Sequence, residues 1–267
     1  MKPKYKDDDY PDKLVAFLDI LGFRKLIWQH KSEALKSINF IDERIQYILN
    51  VLHENHGKTF STKLFSDCIC LSCEYTFENL FYILYELALI QLYFSFEGIF
   101  LKGALSKGNH FENDRMIFSK GPMKAYELER DAIYPRIIID KNLIDQIKDD
   151  NNSYYPTYIG FKKQDLLIQC PDGQFAVDYL NLLYEEGIEQ IDGLKNHKRS
   201  ILMNVEQNHG NINVIEKYRW LAEYHNYKFN EIFASDSCEE SYAAEIAGEV
   251  SIDLASISPQ FNKAQMT

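Results

Sequence analysis

Two rhythms of apolar residues run along the first half of this chain, short strand-like runs and longer stretches at helical spacing. Lys13–Asp19 places Leu, Val, Ala, Phe and Leu before an aspartate and reads as a buried central strand. A turn at Gly22 follows, and Phe23 through Ile27 and Trp28 looks helical. Leu35, Ile38, Ile41, Ile45, Ile48 and Leu52 recur every three or four residues, which predicts a helix over Ser32–His53. Thr59–Ser66 and Cys68–Cys73 read as strands flanking Asp67. Phe77–Phe96 predicts a long apolar helix, followed by a strand over Ile99–Ser106 and a turn at Lys107-Gly108-Asn109-His110. Met116–Phe118 reads as a short strand, Pro122–Asp131 as a helix and Arg136–Asp140 as a further strand.

The order strand, helices, strand, strand, helix, strand fits an α/β (α+β) fold built on a ferredoxin-like βαββαβ sheet. Beyond it, Leu166–Gln169 and Phe175–Leu180 flank Pro171-Asp172-Gly173, a hairpin signal. Ile188–Glu206 and Val214–Tyr227 read as helices. In the second of these, Tyr218, Trp220, Leu221 and Tyr224 are expected to pack inward or against a partner. Residues 1–150 form the first unit of this reading, and 151–230 add a hairpin and helices packed on it within the same domain. From Phe229 to Asn262 there is neither Lys nor Arg, so 231–267 reads as an acidic, mobile tail.

Composition narrows the function classes. The 267 residues are 46% hydrophobic and 14% aromatic, enough for a sizeable core. A net charge of −11 argues against a broad nucleic-acid-binding face, yet leaves room for a nucleotide whose phosphates a cation carries. The charged start Met1-Lys-Pro-Lys-Tyr-Lys-Asp-Asp-Asp shows no targeting signal. Leu80 to Leu101 is greasy but contains Glu86, Gln91, Ser95 and Glu97, so a buried helix is expected rather than a membrane span. Five cysteines without a secretory signal point to a reducing cytoplasm. Cys68, Cys70 and Cys73 lack a matching Cys/His pair at zinc spacing and read as buried small hydrophobes. The seven histidines show no triad or metal spacing.

The chemistry lies in two aspartates, Asp19 and Asp67, each at the end of an apolar run. A carboxylate there is costly to desolvate, and two brought together repel unless a divalent cation offsets them. Each alone has a plainer reading, Asp19 as a helix cap and Asp67 as a turn residue.

Four segments carry a resemblance to the catalytic domain of class III nucleotidyl cyclases. Phe17-Leu-Asp19-Ile-Leu-Gly22-Phe23 looks like that family's first strand and phosphate-holding turn, and Lys63-Leu-Phe-Ser-Asp67 like its second metal aspartate with a base-reading lysine. Phe100-Leu-Lys102-Gly103-Ala-Leu-Ser-Lys107-Gly108 is similar to the strand after the long helix, and Ser119 to Glu129 to the helix that follows. The resemblance spans residues 13–140, and the pyrimidine cyclases of antiphage defence operons are the nearest branch in flavour. It implies two Mg²⁺ or Mn²⁺ ions on Asp19, Asp67 and the Ile20 carbonyl, with triphosphate on the Gly22–Phe23 turn and base contacts from Lys63 and Met116. It also implies a homodimer that cyclises a nucleoside triphosphate. The family's transition-state Asn and Arg fall on Met123 and Glu127, neither of which can take that role. Arg136 is a substitute candidate for the catalytic cation, with Lys102, Lys120 and Lys124 as others. An Arg in an apolar strand needs a partner, however, and a structural bridge to Glu127 or Glu129 is its plainer reading. The alternatives are a nucleotide-binding module that has lost turnover and an interaction protein that keeps only the fold.

Overall fold

The structure is a computed structural model that describes residues 6, 10–23, 28, 31–57, 60–131, 133–149, 162–184, 190–234 and 246–257. Its centre is an eight-stranded sheet of order β2-β3-β1-β4-β6-β8-β7, with β5 paired to β4 alone. The strands are β1 (Asp12–Ile20), β2 (Ser61–Phe65), β3 (Cys68–Glu74), β4 (Leu101–Glu112), β5 (Ile117–Ser119), β6 (Ile137–Ile139), β7 (Leu167–Gln169) and β8 (Phe175–Val177). Helix α1 (Lys31–His56) follows β1, α2 (Phe77–Phe96) follows β3, and α3 (Lys120–Asp131) and α4 (Lys141–Asp149) flank β6. Helices α5 (Gln190–Asn208) and α6 (Ile212–Ala234) come last among the long elements. The antiparallel order β4-β1-β3-β2, with α1 and α2 as the connections, is the ferredoxin-like βαββαβ arrangement.

Strand alternation divides β1 between two faces. Leu14, Ala16, Leu18 and Ile20 enter the main core with α1 and α2, while Val15 and Phe17 join Cys70, Ala104, Ile138 and Ala125 of α3. Thr76 caps α2 by accepting a hydrogen bond from the Asn79 N–H at 2.9 Å. This helix is long and apolar enough to cross a membrane, yet 78% of its apolar window is buried inside the fold. It also carries Glu86, which is 0% exposed and whose carboxyl oxygens find no hydrogen-bond partner among the described residues.

Close contact between β1 and β4 depends on Gly103. A Cβ built there would lie 2.4 Å from the Phe17 carbonyl oxygen and 3.0 Å from the Leu18 Cα. Backbone cannot swing aside as a side chain can, so the two central strands would have to separate. Gly103→Ala is expected to cost about 3 kcal/mol, the upper end for overpacking, read as a lowered urea midpoint. An unchanged midpoint would show that the strands yield at little cost.

Two expectations are corrected here. Lys107-Gly108-Asn109-His110 is strand, because Asp12, Lys13 and Leu14 pair with Asn109, Gly108 and Lys107. The turn comes later, where the Asn113 Oδ1 accepts from the N–H groups of Arg115 and Met116. The acidic C-terminal stretch is not wholly a tail: α6 runs to Ala234, and 246–257 docks with Ile246, Val250, Ile252 and Ile257 buried. Apolar residues spaced for one docking face outweigh the acidic composition there. The parts of 231–267 at 235–245 and 258–267, and residues 24–27 of the expected helix after Gly22, lie outside the described residues.

Between α5, α6 and the 3-10 segment Tyr179–Tyr184 lies a buried polar network. Tyr179 Oη is 2.8 Å from His197 Nε2, and His197 Nδ1 is 3.0 Å from His225 Nδ1. His225 Nε2 is 2.9 Å from the Val250 carbonyl oxygen, so it must donate. Its Nδ1 then accepts from His197, and His197 Nε2 accepts from Tyr179, which fixes both imidazoles as neutral tautomers. Beside them, Lys228 lies 2.9 Å from Asp178, which also accepts from Tyr224 at 2.6 Å.

Candidate functional site

The end of β1 and the turn from β2 to β3 form one corner. Asp19 pairs in register with Cys68 on one side and Lys102 on the other. The Asp67 carbonyl oxygen accepts the Ile20 N–H at 2.9 Å, which pins the β2–β3 turn to the end of β1. Ser66 in that turn takes φ 57°, a left-handed conformation unusual for a residue with a Cβ. The result is that ligand atoms of Asp19, Asp67 and Cys68 all lie within 4.8 Å of one another. All three side chains are half-buried.

Charge at this corner is partly balanced. Lys102 Nζ lies 3.5 Å from Asp19 Oδ2, and the Cys68 thiol is 3.5 Å from Asp67 Oδ1. The donors present suit a divalent cation, because two hard carboxylate oxygens converge where solvent still has access. A ligand there would compete with Lys102 for Asp19, and that ammonium lies close enough to meet a phosphate at the same corner. Cys70, Cys73 and Cys170 are buried as thiols, whereas Cys68 joins the acidic corner.

Other sequence-derived site residues fall into two groups. Lys63 pairs with Cys70, so it projects on the same sheet face as Asp19, Cys68 and Phe65. Gly22 has φ 78° with open space around its Cα, and Leu21 before it gives its N–H to the Phe100 carbonyl at 2.9 Å. Ile20 is itself buried in the main core, and Phe23 packs partly against it. Met116 lies elsewhere, at the tip of the β4–β5 hairpin. Ten or more strand residues separate it from Lys102, about 30 Å along β4. Within one chain it cannot share a ligand with Asp19.

Arg136 is also committed elsewhere. It is 3% exposed, with both terminal nitrogens on the Asp172 carboxylate and one also 3.2 Å from Gln174 Oε1. Desolvation of this guanidinium is outweighed by Asp172 and by Cys170, so its pKa rises, and Asp172 is held below the usual carboxylate range. It ties the sheet to the β7–β8 turn and is no free cation for a phosphate. On α3, Ala125 and Leu128 face the sheet, while Met123 is 63% exposed and Glu127 also faces outward.

Sequence reasoning missed Lys102 as the partner of Asp19 and Cys68 as a neighbour. The signal for both was strand register, since each sits directly opposite Asp19 on an adjacent strand.

No protein-family model matches the chain. No curated protein matches it either. Among solved structures it is similar to a bacterial light-regulated adenylyl cyclase, with a TM-score of 0.38 and 12% identity. That likeness covers 72% of this chain, which spans 58% of that structure's length.

Proposed function

We propose that this chain is a metal-dependent, nucleotidyl cyclase-like protein that converts a nucleoside triphosphate to a 3′,5′-cyclic nucleotide and pyrophosphate. The approach of Asp19 and Asp67 to within 4.8 Å carries the reading. Forty-eight positions apart in sequence, they meet at a solvent-accessible corner where their mutual repulsion favours cation uptake. A bound Mg²⁺ or Mn²⁺ would activate the ribose 3′-hydroxyl and neutralise the triphosphate. The new bond joins O3′ to the α-phosphorus, and the bond to the β-phosphate oxygen breaks to release pyrophosphate.

The remaining roles belong to side chains already at hand. Asp19 and Asp67 hold the cation, and the left-handed Gly22 lets backbone come close to phosphate. Lys102 supplies positive charge once Asp19 turns to the cation, and Lys63 donates to a base carbonyl. A carbonyl is present in uracil and cytosine, which is compatible with a pyrimidine cyclase of antiphage defence. Exposed Phe65 and Tyr126 both meet Phe17 on the sheet face that carries Asp19, an apolar patch which supports a homodimer in which a second copy supplies what α3 lacks.

A second reading has its own support. Exposed Met123 and Glu127 offer no donor for phosphorane charge, which favours a nucleotide-binding module without turnover. Product analysis separates the two. Incubation with Mn²⁺ and each of the four triphosphates is expected to yield pyrophosphate and one cyclic product. Absence of both with all four would remove the catalytic reading and leave binding.

A further inference from the structure

Residues 246–257 reach back across α5 and α6 and end in an apolar cluster that also takes in Leu21 and Phe100. Asn226 clamps the strap at Ile252 in both directions. Its Nδ2 donates to the Ile252 carbonyl at 2.8 Å, and its Oδ1 accepts the Ile252 N–H at 2.8 Å. Lys198 Nζ donates to the Glu249 carbonyl at 2.7 Å, and Lys195 pairs with the Glu249 carboxylate. His225 holds the Val250 carbonyl. Such paired backbone contacts resemble the way a groove takes a peptide, here supplied by the chain's own end.

Two routes run from this strap to Phe100. Ile252, Leu254 and Ile257 share one apolar cluster with Phe100, Tyr218 and Leu21. Separately, Val250 contacts His225, His225 contacts His197, and the His197 ring meets Phe100 edge-on at 5.9 Å. Phe100 accepts the Leu21 N–H and stands two residues before Lys102, while Leu21 stands two residues after Asp19.

We infer that the strap positions the Asp19 corner: docked, it sets the Leu21–Phe100 bridge, and undocked, it lets that bridge loosen. Asn226 acts as a positioning residue, remote from any ligand and working through Ile252. The importance of this for cation and nucleotide rests on the function proposed above, but the mechanical link does not.

Amide hydrogen exchange on the full chain tests the link. Asn226→Ala removes both bonds to Ile252, one of them the acceptor of the Ile252 N–H itself, and is expected to accelerate the Leu21 amide by about tenfold together with a larger acceleration at Ile252. The Ala16 and Ile69 amides, in the middle of β1 and β3, should keep their wild-type rates. Acceleration at Ile252 alone, or equally at every amide, would overturn the inference. If Asn226→Ala does not fold, Lys198→Ala removes one surface bond and should give the same paired response at about threefold, with the same overturning outcomes. By linkage, MnCl₂ with a triphosphate should slow exchange at Ile252 in the wild type. Silence in that arm alone would count against the cation site, and loss of paired acceleration would count against the strap.

Discussion

Under the proposed function, a triphosphate with Mn²⁺ is expected to raise the thermal stability of the wild-type chain, and Asp67→Asn and Asp19→Asn are each expected to abolish that gain. The substitution keeps shape and removes one negative charge from a corner where ligand atoms lie within 4.8 Å. A ligand at one hundred times its Kd stabilises the folded state by about 2.7 kcal/mol, several degrees in a chain of this size. All of that gain should vanish, because a single carboxylate beside Lys102 is a poor cation site. Without ligand the two variants should differ. Asp67→Asn relieves repulsion toward Asp19 and should be neutral or slightly stabilising. Asp19→Asn strips Lys102 of its 3.5 Å partner and should not be. Equal ligand-induced shifts in the wild type and both variants would remove the site altogether.

The buried Glu86 carboxyl should also take stability away as pH rises from about 4.5 to about 8, and Glu86→Gln should erase that contribution. Burial pushes the Glu86 carboxyl up to about 8 from its ordinary 4.5. Across that window the folded chain keeps a proton that the unfolded chain has lost, so higher pH favours unfolding. The penalty reaches about 3 kcal/mol at pH 7. The buried histidines act in the opposite sense. Burial lowers His225 from 6.5 to about 4, and lowers His197 well below its ordinary value, with His225 adding to the effect. Between pH 6.5 and 4 the unfolded chain therefore binds more protons, and acid destabilises by about 3 kcal/mol through His225.

These slopes oppose one another between pH 4.5 and 6.5, and with two histidines against one carboxyl the wild type should still lose stability toward acid there, less steeply than Glu86→Gln. Glu86→Gln should expose the acid limb and gain about 3 kcal/mol at pH 7. Urea midpoints at pH 5, 7 and 9 read both effects. A variant that tracks the wild type at all three would show that Glu86 is not held neutral.

Much of this architecture was legible in residue order because the apolar runs are long and unambiguous. Phe77–Phe96 has the predicted boundaries, and the strands around Asp67 end within two residues of expectation. The paired aspartates could be singled out because charge at the end of a buried run demands compensation. What escaped was long-range pairing. Lys107–His110 carries turn-like residues that β1 recruits into a strand, and no local signal shows that partner. Arg136 in an apolar run signalled a need for a counter-ion, but Asp172 lay 36 positions away. His197 and His225 sit on separate helices, where the sequence spacing of 28 shows no contact. Within the acidic stretch a short helix over Ala243–Val250 could be read, and residues 246–250 are helical, but the docking of 246–257 could not, since burial followed four aliphatic side chains rather than net charge.

The two halves of the proposed pocket are anchored unequally. Asp67 sits in the turn just before β3, an interior strand, and its own carbonyl is tied to β1, whereas Lys63 lies on β2, a five-residue strand at the sheet's rim held by β3. Rim strands fray before interior ones. On warming, such a molecule would grow indifferent to the identity of the base while still retaining its metal.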